Sequence, residues 1–247
     1  MQLSQNTVLI TGGATGIGLA LAQRFLNAGS EVIVCGRREE ALSEAKIRFP
    51  GLHTRVCDVA SESDREALFH WATGQWPQLN VLVNNAGIQR RVSLTESESW
   101  AQTHQEIAIN FEAPIHLSQL FLAHLSKQPR AAILNVSSGL AFAPLANVPV
   151  YCATKAALHS FTLSLRHQLR QSAVEVIEIV PPAVDTDLGG PGLHTFGAPL
   201  DEFADDIFAR LARSETEIAY GTAQKSSRAS REELDQISAQ MNSHFGS

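Results

Sequence analysis

Tyr151-Cys152-Ala153-Thr154-Lys155 sets a phenol and an amine four residues apart. In a helix that spacing puts both groups on one face, one turn apart. Free tyrosine, with a pKa near ~10, neither gives nor takes a proton readily at neutral pH. A positive charge ~4 Å away would stabilise the phenolate by about 4 kcal/mol at an effective dielectric of ~20. That energy corresponds to roughly three pKa units. The spacing therefore predicts a tyrosine lowered toward neutrality and suited to general acid–base work. An ordinary aromatic followed by a surface lysine has the same spacing, so the pair gains meaning only from its surroundings.

Other chemistry-bearing residues recur after short apolar runs. Thr11-Gly12-Gly13-Ala14-Thr15-Gly16-Ile17-Gly18 has the pattern G-x-x-x-G-x-G. Between a strand and a helix, such a loop lets backbone N–H groups approach a pyrophosphate. Gly36-Arg37-Arg38 stands where an NAD site usually carries an acid for the ribose 2′-hydroxyl. Paired guanidiniums there point to a 2′-phosphate, hence NADP(H) rather than NAD(H); they would also suit the start of a solvated helix. Asp58 is placed either to accept from an adenine amino group or to cap the next helix. Asn84-Asn85-Ala86-Gly87 is either a turn or a close backbone approach to a cofactor. Ser137-Ser138-Gly139 and Pro181-Pro182-Ala183-Val184-Asp185-Thr186 close two further runs.

The elements that must position these groups alternate. Apolar, β-branched runs at 7–10, 31–35, 54–57, 81–83, 131–136 and 174–180 read as strands. Helical segments read at 18–28, 39–48, 63–73, 97–127 and 150–171, with Gly29 at a C-cap position. This alternation predicts an α/β fold: one Rossmann-type, doubly wound parallel sheet with helices on both faces, spanning 1–247 as a single domain. Every candidate group then falls beyond the carboxyl ends of strands, where such sheets bind ligands.

Composition agrees. The chain has 247 residues, 44% hydrophobic and 18% charged, with net charge -6. Nothing favours a nucleic-acid or membrane partner. The start carries no signal-peptide pattern, and Cys35, Cys57 and Cys152 lack C-x-x-C spacing, which suits a cytoplasmic setting. The nine histidines include no H-E-x-x-H or comparable ligand spacing, so no metal is expected.

Taken in order, Thr11–Gly18, Asp58, Asn84–Gly87, Asn110, Ser138 and Tyr151-x-x-x-Lys155 resemble the short-chain dehydrogenase/reductase family. The stretch 149–160 is similar to that family's bacterial DltE-type oxidoreductases. The resemblance implies hydride transfer between nicotinamide and a small carbonyl/alcohol substrate. Tyr151 would be the general acid/base, Lys155 would tune it and hold ribose hydroxyls, Ser138 would bond the substrate oxygen, and Asn110 would hold a relay water. Ser138 lies thirteen residues before the tyrosine, a family spacing. The implied cofactor-binding positions are Gly12, Thr15, Gly16, Ile17, Gly18, Arg37, Arg38, Asp58, Val59, Asn85, Ala86, Gly87, Tyr151, Lys155, Pro181, Val184 and Thr186. A homodimer or homotetramer joined through two long helices is also implied. A non-catalytic NADP-binding regulator and an epimerase or dehydratase are the rivals; the intact Asn, Ser, Tyr, Lys set and the glycine spacing disfavour them.

Pro114 gives the Asn110 role its own physical basis. Proline has no N–H, so the carbonyl four residues back, that of Asn110, loses its helical donor and could hold a buried water. The chain departs from the family where Pro181-Pro182 replaces a usual Pro-Gly. The glycine-rich segment 187–200 could close over substrate as a lid or remain an open loop. A short strand is expected at 217–220. In the polar tail 223–247, Ser230-Arg231-Glu232-Glu233 is a capping box, followed by a Leu234, Ile237, Met241 stripe that could dock on the core or on a partner subunit. Arg90 and Arg91 suit either a solvated face or an acidic substrate.

Overall fold

Strands β1 (Thr7–Thr11), β2 (Glu31–Gly36), β3 (Leu52–Val56), β4 (Val81–Asn84), β5 (Ala131–Val136), β6 (Val174–Val180) and β7 (Glu217–Ala219) form one sheet in the order β3-β2-β1-β4-β5-β6-β7. The pairings are all parallel. The computed structural model describes residues 1–95 and 99–245. The predicted helix start at Ser97 and the tail residues Gly246 and Ser247 lie outside them.

The strand sequences build two cores by alternation. Val8, Ile10, Val32, Val34, Leu134 and Ile179 join one apolar cluster, with Phe25 of α1 (Gly16–Asn27) and Phe203 and Ile207 of α7 (Leu200–Ala212). Leu9, Ile33, Leu82, Ile133 and Val176 join the other, with Leu68 of α3 (Glu62–Gln75) and Phe121 of α5 (Ala113–Leu125). The family of buried runs is thus covered on both faces, as expected of a parallel sheet. Helix α2 (Glu39–Arg48) flanks β2, and α6 (Pro149–Gln168) lies on the α5 face.

Local signals explain the element ends. Gly29, at φ +80, ends α1 with its N–H on Leu26 O (2.9 Å) while Ser30 N–H reaches Phe25 O (3.0 Å), the paired closure that a left-handed residue permits. At the other end of the chain, α8 (Thr222–Ser226) leads to α9 (Arg231–Phe245). The capping box forms there: Ser230 N–H donates to Glu233 Oε2 (2.7 Å) and Glu233 N–H to Ser230 Oγ (3.3 Å). The half-buried Leu234, Ile237 and Met241 stripe is accompanied by Ser238 and Asn242, which both donate to Pro144 O at 3.0 Å. Docking within the chain is therefore one use of that stripe.

The long predicted helix is not continuous. It comprises α4 (Trp100–Ile107), a widened π-turn (Ala108–Glu112) and α5. Ala113 N–H bonds Ala108 O, five residues back, and Pro114 follows without an N–H. An extra residue is thereby accommodated just ahead of the proline, and the irregularity brackets Asn110, where the defect is expected. The third strand also starts earlier than expected, leaving Cys57 beyond its end.

Candidate active site

The glycine loop is closed by the end of β4. Asn85 Nδ2 donates to Thr11 O (2.9 Å) and Gly12 O (3.1 Å), while Thr11 Oγ1 accepts from the N–H groups of Asn85 and Ala86, each at 3.0 Å. A Cβ on Gly12, at φ +63, would stand 2.8 Å from Ala86 Cα, and one on Gly18 would stand 2.4 Å from Gly12 O. Only glycine fits so close a crossing. Thr15 precedes α1 without a side-chain cap, so the first-turn N–H groups around Gly16 and Ile17 remain available to an anion. Thr186, from the loop after β6, lies against Gly16. The exposed Arg38 reaches back over the loop to Thr15 Oγ1 at 3.4 Å, and Arg37 is exposed beside it. The cradle, its uncapped helix end and its guanidiniums fit a dinucleotide phosphate in shape and charge.

Asp58 is resolved as a turn residue rather than a helix cap. Its Oδ1 accepts from Ala60 N–H (3.0 Å), whereas Ser61 caps α3 through Asp64 N–H. Val59 beside it is buried, and its carbonyl accepts from Arg65.

The second half of the site lies at β5, β6 and α6. Tyr151 and Lys155 are 5% and 4% exposed. Lys155 Nζ donates to Val136 O at 2.7 Å and stands 5.6 Å from the centre of the Tyr151 ring. Ser138, whose Oγ accepts from Leu140 N–H at 3.1 Å, lies close enough to the phenol to favour its ionised form. Ser137 instead donates to Ile179 O and is buried in the sheet, so Ser138 is the serine that faces the tyrosine. Its carbonyl-side neighbour Gly139 is tied to Pro181 O at 2.8 Å, which fixes the Pro181-Pro182 loop to the same edge. Val184 pairs with Ala198, closing the glycine-rich segment at its base. Within that segment, Leu188 packs into the apolar cluster around Tyr151, while Phe196 is 65% exposed.

Asn110 is fully buried in the π-turn. Its Oδ1 accepts from Ile88 N–H (2.9 Å), and its Nδ2 donates to Ile88 O (2.8 Å) and Thr154 Oγ1 (3.2 Å). The side chain thus staples the β4 loop to α6. A carbon added at Gly87 would come 3.5 Å from Asn110 Oδ1 and 3.6 Å from Lys155 Nζ, so these three residues converge. Arg90 turns away from the cleft and donates to Gln102 O and Gln105 Oε1 on α4.

The electrostatics correct one expectation. Burial pushes the Tyr151 phenol well above its ordinary pKa, and the nearby Ser138 hydroxyl opposes this only in part. Burial also lowers Lys155, to about 8, against the pull of Glu178. A dry pocket penalises both charged forms, and the ammonium is directed at a carbonyl rather than at the phenolate position. Lys155 is the member of the pair whose proton is labile near neutrality.

Three ionisable residues near this pair escaped the sequence reading. Glu106 is fully buried, accepts from Arg90 N–H (3.3 Å), and has no hydrogen-bond partner at Oε2 among the described residues; burial raises its pKa. Glu178 is fully buried, and both its oxygens face His159 Nδ1, at 3.0 and 2.9 Å. The one available signal was a glutamate inside the otherwise apolar run Val176–Val180.

Comparison with known proteins gives a consistent picture. Residues 6–193 match the family model described as short chain dehydrogenase. The chain is 52% identical over 248 residues to the uncharacterized oxidoreductase DltE of Bacillus subtilis, covering 98% of each chain. It is 31% identical over 178 residues, 72% of each chain, to the NADP-dependent 3-hydroxy acid dehydrogenase YdfG of Escherichia coli K12. A Burkholderia cenocepacia short chain dehydrogenase solved with NADP superposes with a TM-score of 0.84 at 24% identity, over 98% of this chain and 99% of that one. A Burkholderia phymatum homologue solved with NAD gives the same TM-score at 20% identity, over 96% of each.

Proposed function

Because this chain belongs to the short-chain dehydrogenase family, we propose that it is an NADP(H)-dependent oxidoreductase acting on a carbonyl/alcohol pair of a small molecule. The observation that carries this reading is the shared, buried pocket of Ser138, Tyr151 and Lys155 at the carboxyl ends of β5 and β6. When bound, the nicotinamide supplies or accepts the hydride.

The chain's own residues do the rest. Ser138 holds the substrate oxygen, and Tyr151 gives it a proton in reduction or takes one in oxidation. In reduction the phenol acts from its neutral form, which burial favours; in oxidation its own proton passes on toward unprotonated Lys155 as it takes the one from the substrate hydroxyl. Lys155 holds the ribose hydroxyls and replaces the proton, as suits the more labile acid of the pair. Asn110 positions the loop around Gly87 and, through its carbonyl beside Pro114, holds the relay water. The glycine loop and α1 take the pyrophosphate, Asp58 and Val59 border the adenine, and Pro181, Val184 and Thr186 border the nicotinamide side.

Structural neighbours include complexes with both nicotinamide cofactors, so the preference for NADP(H) rests on this chain's Arg37 and Arg38. A guanidinium beside an uncapped phosphate loop favours the extra 2′-phosphate. YdfG's named activity on 3-hydroxy acids supports the carbonyl/alcohol class. The three thiols are free, which supports a cytoplasmic setting, and no helix among the described residues is long and apolar enough to cross a membrane. Assembly is a homodimer or homotetramer through the two long helical segments, α4 to α5 and α6.

The test is NADPH consumption by the purified protein across a panel of aldehydes, ketones and 3-oxo acids. Turnover is expected with at least one class. Cofactor that binds but is consumed with none of them would contradict the reading.

A further inference from the structure

A polar row crosses the sheet beneath α6. Strand register places Asn84 beside Asn135, Asn135 beside Glu178, and Glu178 beside Glu217. Asn135 and Glu178 lie on the α5/α6 face by alternation with Ile133 and Val176. Asn135 Nδ2 donates to Thr162 of α6 at 2.9 Å, and Glu178 meets His159 of the same helix. The row therefore ends in two carboxylates side by side on adjacent strands, an arrangement that is unfavourable without a nearby cation.

Two cations on α6 answer it. Tyr151, Lys155 and His159 follow each other at four-residue intervals and share one stripe. His159 caps both oxygens of Glu178 and is 20% exposed, packed edge-on against Phe142. One turn earlier, the Lys155 ammonium rests on the carbonyl of Val136, whose register partner Ile179 is the next residue after Glu178. Glu178 is thus the buried carboxylate beneath both groups. Among the described residues Lys155 has no carboxylate in salt-bridge contact, so Glu178 acts on it through space.

We propose that Glu178 and His159 together form the counter-charge that sets how firmly Lys155 holds its proton, making both positioning residues for the acid–base centre. The inference rests on Lys155 belonging to that centre. When His159 is protonated, it and Glu178 neutralise each other. When His159 loses its proton, the Glu178 charge is uncovered and holds the Lys155 ammonium more tightly. The directions are consistent: Glu178 raises His159 above the usual histidine value, and Glu178 opposes the effect of burial on Lys155. Other charged groups facing the cluster are Glu217 from β7, which reinforces His159, and Arg166 from α6, which opposes it. Arg166 is itself held by Val176 O and Thr216 O. On the far side of the pair, Glu106 of α4 acts on Tyr151.

The proposal is tested by titrating the Lys155 side chain with isotope-edited NMR of the full-length protein. Lys46, Lys127, Lys155 and Lys225 are the chain's lysines, so a Lys155→Arg variant assigns the signal. In Glu178→Gln, which keeps the shape and a hydrogen bond to His159, the Lys155 midpoint should fall by roughly one pH unit. A folded Glu178→Gln variant with an unmoved midpoint overturns the proposal. Should that variant not fold, His159→Gln carries the test: an upward shift supports the proposal and an unmoved midpoint overturns it. A purely structural contact would leave the midpoint in place. The titration needs no turnover. A shift in a protein that reduces no carbonyl would cost only the oxidoreductase reading, and turnover with no shift would cost only this inference.

Discussion

On the β1–β2 side of the cleft, the groups that face outward are backbone N–H groups and exposed guanidiniums. On the β5–β6 side they are a phenol, an ammonium and a carboxylate that water barely reaches. The first region is built by neutral hydrogen bonds: Thr11 and Asn85 lock the glycine loop without an ion. The second is built by burying groups that prefer water. Charge in the first region is screened and serves recognition. Charge in the second is felt strongly, because each ionised form must be compensated inside the protein. The difference separates binding from reactivity along one sheet edge.

That separation can be broken in either direction. The largest effect is expected for Tyr151→Phe, which removes the proton donor and little volume. Turnover should fall by about 10²–10⁴-fold, while NADPH affinity, measured by fluorescence titration, stays near wild type. A parallel loss of cofactor binding would mean that the two regions are not separable. A smaller effect is expected for Arg37→Ala. A lost charge-assisted contact of about 1.5–3 kcal/mol should weaken NADPH by roughly ten- to a hundred-fold while NADH changes little. Equal losses for the two cofactors would remove the 2′-phosphate from the account of this region.

The binding region was the more legible in sequence. Its glycines act through local backbone geometry, so spacing within Thr11–Gly18 was enough to place the cradle. Tyr151 and Lys155 were legible for the same reason, since four-residue spacing holds in any helix. What failed was the sign of the phenol's shift. A Coulomb estimate from spacing assumes where the ammonium points, and here Lys155 Nζ is turned to Val136 O in a pocket that penalises both charges. Pro114 marked the defect at Asn110, which the widened turn Ala108–Glu112 brackets; its form, with Ala113 N–H reaching one residue further back, was not legible in the sequence. Whether Asp58 was a cap could be decided only once Ser61 was seen on Asp64 N–H. The Asn84, Asn135, Glu178, Glu217 row was out of reach: it depends on the register of strands about forty to fifty residues apart in sequence, and register is set by tertiary packing.

The claim that reactivity resides in buried charge, apart from binding, is tested most directly by the pH dependence of carbonyl reduction measured together with NADPH affinity. With Lys155 lowered to about 8 by burial, the pair is cationic and fully protonated below that pH and loses the lysine proton above it. Saturated turnover should therefore fall as pH rises through about 8, while NADPH affinity weakens far less, by no more than the ribose contact that Lys155 makes. Turnover that holds level through that range, or a fall matched by weakening cofactor affinity, would contradict it.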